Sequence, residues 1–146
     1  MALIAEGLPY AWRLSLAEAE RRLGGFSRLT FRDDGAGLVV VARPELAGDV
    51  VLARKDLGVA YHLAVVVDDA LQGVTDVIRG ADLFEATHIQ RLLQALLDLP
   101  TPAYRHHPLL LGPDGKRFAK RDRAETLREI RARGVTREAL LGELAI

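Results

Sequence analysis

The stretch YHLAVVVDDALQGVTDVIRGAD, residues 61–82, decides the reading of the fold. Its first apolar run, dense in valine and alanine, stops at two adjacent carboxylates, Asp68 and Asp69. A short ALQG turn closes at Gly73, and a second β-rich run, VTDVI, stops at a lone Arg79 followed by Gly80. Both runs are expected to be strands. A continuous apolar strand implies burial on both faces, as in a parallel or mixed sheet covered by helices. Charges at the ends of such strands lie where open α/β sheets hold their ligands.

Upstream, SLAEAERRL has Ser15 and Glu18 in capping-box spacing and is expected to form a short helix ended by Gly24-Gly25. SRLTF and GLVVVA flank RDDGAG as a hairpin, and GDVVLARKDLGVAYHLAVVV continues as strand, turn, strand. Downstream, EATHIQRLLQALLDL carries apolar residues at 89, 92, 93, 96 and 97, the three-and-four spacing of an amphipathic helix. Thr87 is its expected N-cap, and Pro100 and Pro102 stop it. HPLLL is expected as a short buried strand, followed by a Pro-Asp-Gly turn and the basic loop GKRFAKRD. Two helices separated by Gly134, the second capped by Thr136, complete the chain. This order suggests half of a nucleotide-binding α/β domain.

Composition narrows the class. A chain of 146 residues can bury one sizeable core, and 49% hydrophobic with 27% charged residues describes a globular protein rather than a disordered one. Formal net charge is zero, so no global field points to nucleic acid or membrane. The distribution is uneven: residues 105–137 hold ten Lys/Arg against four Asp/Glu, and residues 1–104 hold ten against fourteen. That excess suits phosphates and a solvated helical face equally. The absence of cysteine excludes disulfides and thiolate metal sites. No apolar run approaches the ~18–20 residues of a membrane span, and MALIAEGLPYAW lacks the layout of a signal peptide. The expected location is the cytoplasm.

Individual residues leave alternatives open. Asp68 and Asp69 suit a helix start, where carboxylates accept from free amides, or else a Mg²⁺ ion or substrate. Arg79 either pairs with Asp76 or Asp82 or meets a ligand carboxylate with two parallel hydrogen bonds. Tyr61 plugs the core or lines a pocket. His62 and His106-His107 are metal-ligand types, but no partner stands at convincing spacing. The loop holding Lys116, Arg117, Lys120 and Arg121 is suited to a polyphosphate whose charge grows during displacement.

The blocks AYHLAVVVDDALQGVTDVIRGADL and TPAYRHHPLLLGPDGKRFAKRD together closely resemble the class I synthetases that activate glutamate. The second block corresponds to that class's second signature loop. The resemblance runs from about residue 48 to 122. The ending RGADL is similar to the glutamyl-queuosine tRNA(Asp) synthetases, short relatives without the large anticodon-binding domain. Only 25 residues follow Arg121, which points the same way.

The resemblance implies a Rossmann-like α/β fold, here the C-terminal half of a catalytic domain. Residues 1–47 would be a connecting remnant, 48–122 the second half of the nucleotide-binding domain, and 123–146 a helical segment. It implies ATP-dependent activation of L-glutamate, Mg²⁺ arriving with ATP, and transfer to a tRNA, with tRNA(Asp) the implied target. It further implies that Tyr61 shapes the glutamate pocket and that Arg79 grips the amino acid. Lys120 would contact ATP, with Arg121 and Arg117 assisting, and Asp69 is a candidate contact for tRNA. The alternatives are a fragment of a canonical glutamyl-tRNA synthetase and a non-catalytic remnant that binds tRNA or a partner.

Departures from the family pattern are specific. The loop reads Arg117-Phe118-Ala119 where lysine, leucine and serine are usual. No His-Ile-Gly-His-like first signature occurs, and the cysteine-rich zinc segment of many relatives is missing. A separate N-terminal half is therefore an expected partner.

Overall fold

The computed structural model describes residues 6, 10–56, 58–109, 111 and 126–143. It divides into two units, Met1–Pro108 and Leu109–Ile146. The first unit carries β1 (Ala11–Leu14), α1 (Leu16–Leu23), β2 (Thr30–Asp33), β3 (Leu38–Val41), β4 (Val50–Arg54) and β5 (Gly58–Val59). It continues with α2 (Tyr61–Gln72), β6 (Asp76–Gly80), α3 (Phe84–Leu96) and β7 (Ala103–His107).

Two sheets form. One is a three-stranded antiparallel sheet in the order β1-β4-β5. The other has the order β3-β2-β7-β6, with the hairpin β2–β3 antiparallel and β7 parallel to both β2 and β6. Parallel β6 and β7 require a crossover, and α3 supplies it. Ser15 caps α1 by accepting from the Glu18 amide, and Gly24 ends it in the left-handed conformation, both as the sequence implies.

The core lies between the mixed sheet and α3. Phe31, Leu92 and Tyr104, each no more than 2% exposed, form one cluster with Ala19, Phe26, Leu29 and Ala42; Val66, Ile89 and Leu93 form a second. Leu92 and its neighbours Ile89 and Leu93 serve different clusters, so α3 is buried on more than half its circumference. That is why polar Thr87, His88, Gln90 and Gln94 are also buried. Leu97 departs from the expected stripe: it ends the helix and is exposed.

Four expectations are corrected. The run at 61–67 is not a strand but the first two turns of α2. Its valines have high β propensity, but Val66 is buried with Ile89 and Leu93 of α3 and Val65 packs against the same cluster, and that tertiary packing overrides propensity. Asp68 and Asp69 consequently lie in the second half of the helix, not at its start or a strand tip, so neither is an N-cap. Thr87 is not a cap either. It falls in the first turn of a helix that already begins at Phe84, with its hydroxyl donating to the Leu83 carbonyl at 3.3 Å. The strand expected at HPLLL, of which Leu110 lies outside the described residues, is found upstream at Ala103–His107, where buried Tyr104 and exposed Arg105 alternate across a polar-looking AYRHH.

The second unit has α4 (Leu127–Ala132) and α5 (Arg137–Glu143). Thr126 and Glu129 close a reciprocal capping box on α4, and Thr136 accepts from the Ala139 amide at 3.2 Å.

Burial of His88 makes the fold sensitive to acid. Its ring is 5% exposed, and Nδ1 accepts the Arg43 amide at 3.3 Å, a bond that needs the neutral ring. Burial above all, with the Arg43 cation adding and Glu85 opposing, holds its pKa below the ordinary 6.5. The unfolded chain therefore binds this proton before the native chain does, and stability falls as pH drops through about 6.5. Thermal melts should show a level Tm above that pH and a declining one below it. His88→Gln is expected to flatten the decline, and an unchanged slope would contradict this origin.

Candidate functional site

Arg79 is the centre of the site, and the fold dictates its surroundings. In the β6–β7 ladder Arg79 pairs with His106, so both side chains leave the same face of the sheet. The α3 crossover packs on that face and brings Thr87 and Gln90 over the arginine. Nε of Arg79 donates to His106 Nε2 at 3.1 Å, and Nη2 donates to Thr87 Oγ1 at 2.6 Å and to Gln90 Oε1 at 2.8 Å. The guanidinium carbon stands 5.1 Å from the centre of the Tyr104 ring, a cation–π contact.

Every one of these partners is neutral or accepts without a charge. Among the described residues no carboxylate lies within ion-pair distance of Arg79, and Nη1 has no hydrogen-bond partner. The pairing with Asp76 or Asp82 allowed by the sequence is therefore not formed. A half-buried cation with three fixed donors and no carboxylate in ion-pair distance among the described residues is poised for an anion. It cannot swing freely, because its Nε and Nη2 edge is already held.

Behind His106 stands Asp33, contributed by β2. Its Oδ2 lies 2.9 Å from His106 Nδ1, while Oδ1 accepts the amides of Gly35 at 3.0 Å and His106 at 3.3 Å. The two side chains are 2% and 4% exposed. Burial pushes the Asp33 pKa up, but the hydrogen bonds from the His106 ring, the His106 amide and the Gly35 amide outweigh it and leave the carboxyl below its usual value. Gly35 makes the approach feasible: a Cβ there would meet the His106 carbonyl at 2.7 Å.

Tyr61 opens α2, is 52% exposed and lies edge-on to the His62 ring at 5.5 Å. Burial lowers the His62 pKa, and the field of Arg79 lowers it further. The field of Arg79 thus reaches the start of α2 at His62. Asp69, half-buried on α2, is close enough for its charge to help raise the Tyr104 pKa, although burial of that phenol is the larger cause. Lys116, Arg117, Lys120 and Arg121 lie outside the described residues.

Among the described residues no group of three or more His, Asp or Glu side chains could hold a metal ion, and no helix is long and apolar enough to cross a membrane. His106 has both ring nitrogens engaged by Asp33, Arg79 and Thr87. One hollow of about 470 Å³, lined by Thr30, Arg32, Val39, Thr75 and Thr101 among others, has neither Tyr61 nor Arg79 in its lining.

Residues 23–146 match the family model for the catalytic domain of class I tRNA synthetases for E and Q. The chain belongs to this family. Its relatives include proteins named glutamyl-Q tRNA(Asp) synthetase. The Rhodobacter capsulatus protein is 57% identical over 64% of this chain and 35% of its own length. That of Symbiobacterium thermophilum is 55% identical over 70% and 32%, and that of Ectopseudomonas mendocina 40% over 86% and 50%. The chain thus spans about a third to a half of the length of these relatives. The crystal structure of a glutamate-tRNA synthetase from Elizabethkingia anophelis superposes with a TM-score of 0.61 at 28% identity, covering 83% of this chain and 23% of that one. The mixed α/β architecture is that of the family's catalytic domain.

The sequence singles out Arg79 as a candidate but not its setting. Thr87 stood out only as a cap, His106 only as a metal-ligand type, Asp33 only as part of a turn, and Gln90 not at all. The alternation of Tyr104, Arg105 and His106 was the available signal, since it places rings 104 and 106 together on one strand face.

Proposed function

We propose that this chain supplies the amino-acid-binding and phosphate-contacting part of a ligase that activates L-glutamate with ATP and glutamylates the queuosine base of tRNA(Asp). In the first step a glutamate carboxylate oxygen attacks the α-phosphorus of ATP. The bond to the bridging oxygen breaks, pyrophosphate leaves, and glutamyl-adenylate forms. In the second, a hydroxyl of the tRNA base attacks the activated carbonyl and AMP leaves. Positioning and charge stabilisation carry both steps.

The observation that supports this reading is the Arg79 guanidinium near the end of β6, with no carboxylate in ion-pair distance and Nη1 unoccupied among the described residues. Arg79 would bind a glutamate carboxylate and Tyr61 would bound the same pocket. Lys120, assisted by Arg121 and Arg117, would take the ATP phosphates, with Mg²⁺ accompanying the nucleotide. Asp69 is the candidate contact for tRNA. Identities of 57% and 55% to proteins named for the queuosine reaction favour that target over canonical tRNA(Glu) charging. A separate N-terminal half would supply the first signature, and the cytoplasm is the expected site of the reaction.

Labelled glutamate transfer tests the target. With the chain joined to a relative's N-terminal half, tRNA(Asp) bearing queuosine should accept glutamate, and the same tRNA lacking it should not. Charging of tRNA(Glu) instead would contradict the reading.

A further inference from the structure

We propose that Asp33, acting through His106, is a positioning residue that holds the Arg79 guanidinium in place for its anionic ligand. The further statement that this ligand is glutamate rests on the function proposed above. The hydrogen bonds run in one sense. Arg79 Nε is always a donor, so His106 Nε2 must carry its lone pair. The ring proton then sits on Nδ1, facing Asp33 Oδ2 at 2.9 Å. Asp33 is itself fixed by two backbone amides on its other oxygen, 3.0 and 3.3 Å away. The opposite tautomer would set Nε2–H against Nε–H, two donors in contact, and push the guanidinium off the sheet tip.

Asp33→Asn isolates this role. The carboxamide oxygen remains with the two amide donors, so the –NH₂ faces Nδ1, which must then accept. The ring proton moves to Nε2, the same loss of tautomer control that a buried Asp→Asn change produces elsewhere.

The test reads the ring and the arginine directly, by ¹⁵N-resolved spectra of the full 146-residue chain. Wild type should show His106 protonated on Nδ1 and a solvent-protected Arg79 Nε–H. Asp33→Asn should show the Nε2–H tautomer and lose that protection. In pyrophosphate exchange by the chain joined to a relative's N-terminal half, glutamate KM should rise on the order of tenfold, with ATP KM steady. In a His106→Gln background the amide oxygen can accept from Arg79 and no tautomer exists, so adding Asp33→Asn should cost nothing further. A purely structural Asp33 would cost as much there as in wild type.

An unchanged tautomer, an unchanged Arg79 signal, or an equal loss in the His106→Gln background overturns the proposal. If the spectra respond as expected while neither Arg79→Ala nor Asp33→Asn alters glutamate KM, the positioning chain stands and the glutamate assignment falls. Should Asp33→Asn fail to fold, His106→Gln should retain glutamate affinity that His106→Leu loses, and equal losses in the two overturn the proposal.

Discussion

Arg79→Ala, in the chain joined to a relative's N-terminal half, is expected to raise glutamate KM by about a hundredfold and to change ATP KM by less than about threefold. Nη1 offers two N–H donors that no described residue takes. A hydrogen bond to a charged group contributes about 1.5–3 kcal/mol, so losing two costs at least ~3 kcal/mol. Each ~1.4 kcal/mol is a factor of ten in affinity. Alanine also strips His106 Nε2 and Gln90 Oε1 of their donor, so the variant should melt lower, and its kinetics belong at a temperature where it remains folded. Arg79→Lys is not expected to rescue. An ammonium on a flexible stem cannot hold Thr87, Gln90 and His106 while reaching a ligand. Equal losses for glutamate and ATP would mean that Arg79 is not the amino-acid contact.

Much of the scaffold could be read from local chemistry. Ser15, Gly24, Gly73 and Thr136 mark helix ends because capping is a short-range interaction between a side chain or a left-handed backbone and nearby amides or carbonyls. The β2–β3 hairpin and the apolar stripe of α3 follow from period alone. The mistakes share one cause, that burial is set by distant partners. Three consecutive valines at 65–67 look like a strand buried on both sides, yet only Val66 is fully buried and the others lie half-buried on a helix.

The site shows the same division. Arg79 was conspicuous because a charge ending an apolar run needs a reason. Its direct partners are residues 87, 90 and 106, and Asp33 stands behind His106, so three separate elements contribute and no local pattern joins them. Asp33 in particular reads as ordinary hairpin chemistry until β7 is laid beside β2.

Pyrophosphate exchange is the most direct measurement of whether this site activates glutamate. Adenylate formation needs groups that hold the adenine and phosphates, and these 146 residues contain no His-Ile-Gly-His-like stretch. Losing even one preorganised charge-stabilising donor typically costs about 10²–10³ in rate, so losing a whole signature should leave the 146-residue polypeptide alone with no detectable exchange. Joined to the N-terminal half of a relative, it should exchange labelled pyrophosphate into ATP when L-glutamate is present and not with L-aspartate. Exchange that fails to recover on completion, while tRNA binding by the basic segment persists, would contradict the account and identify a binding remnant instead.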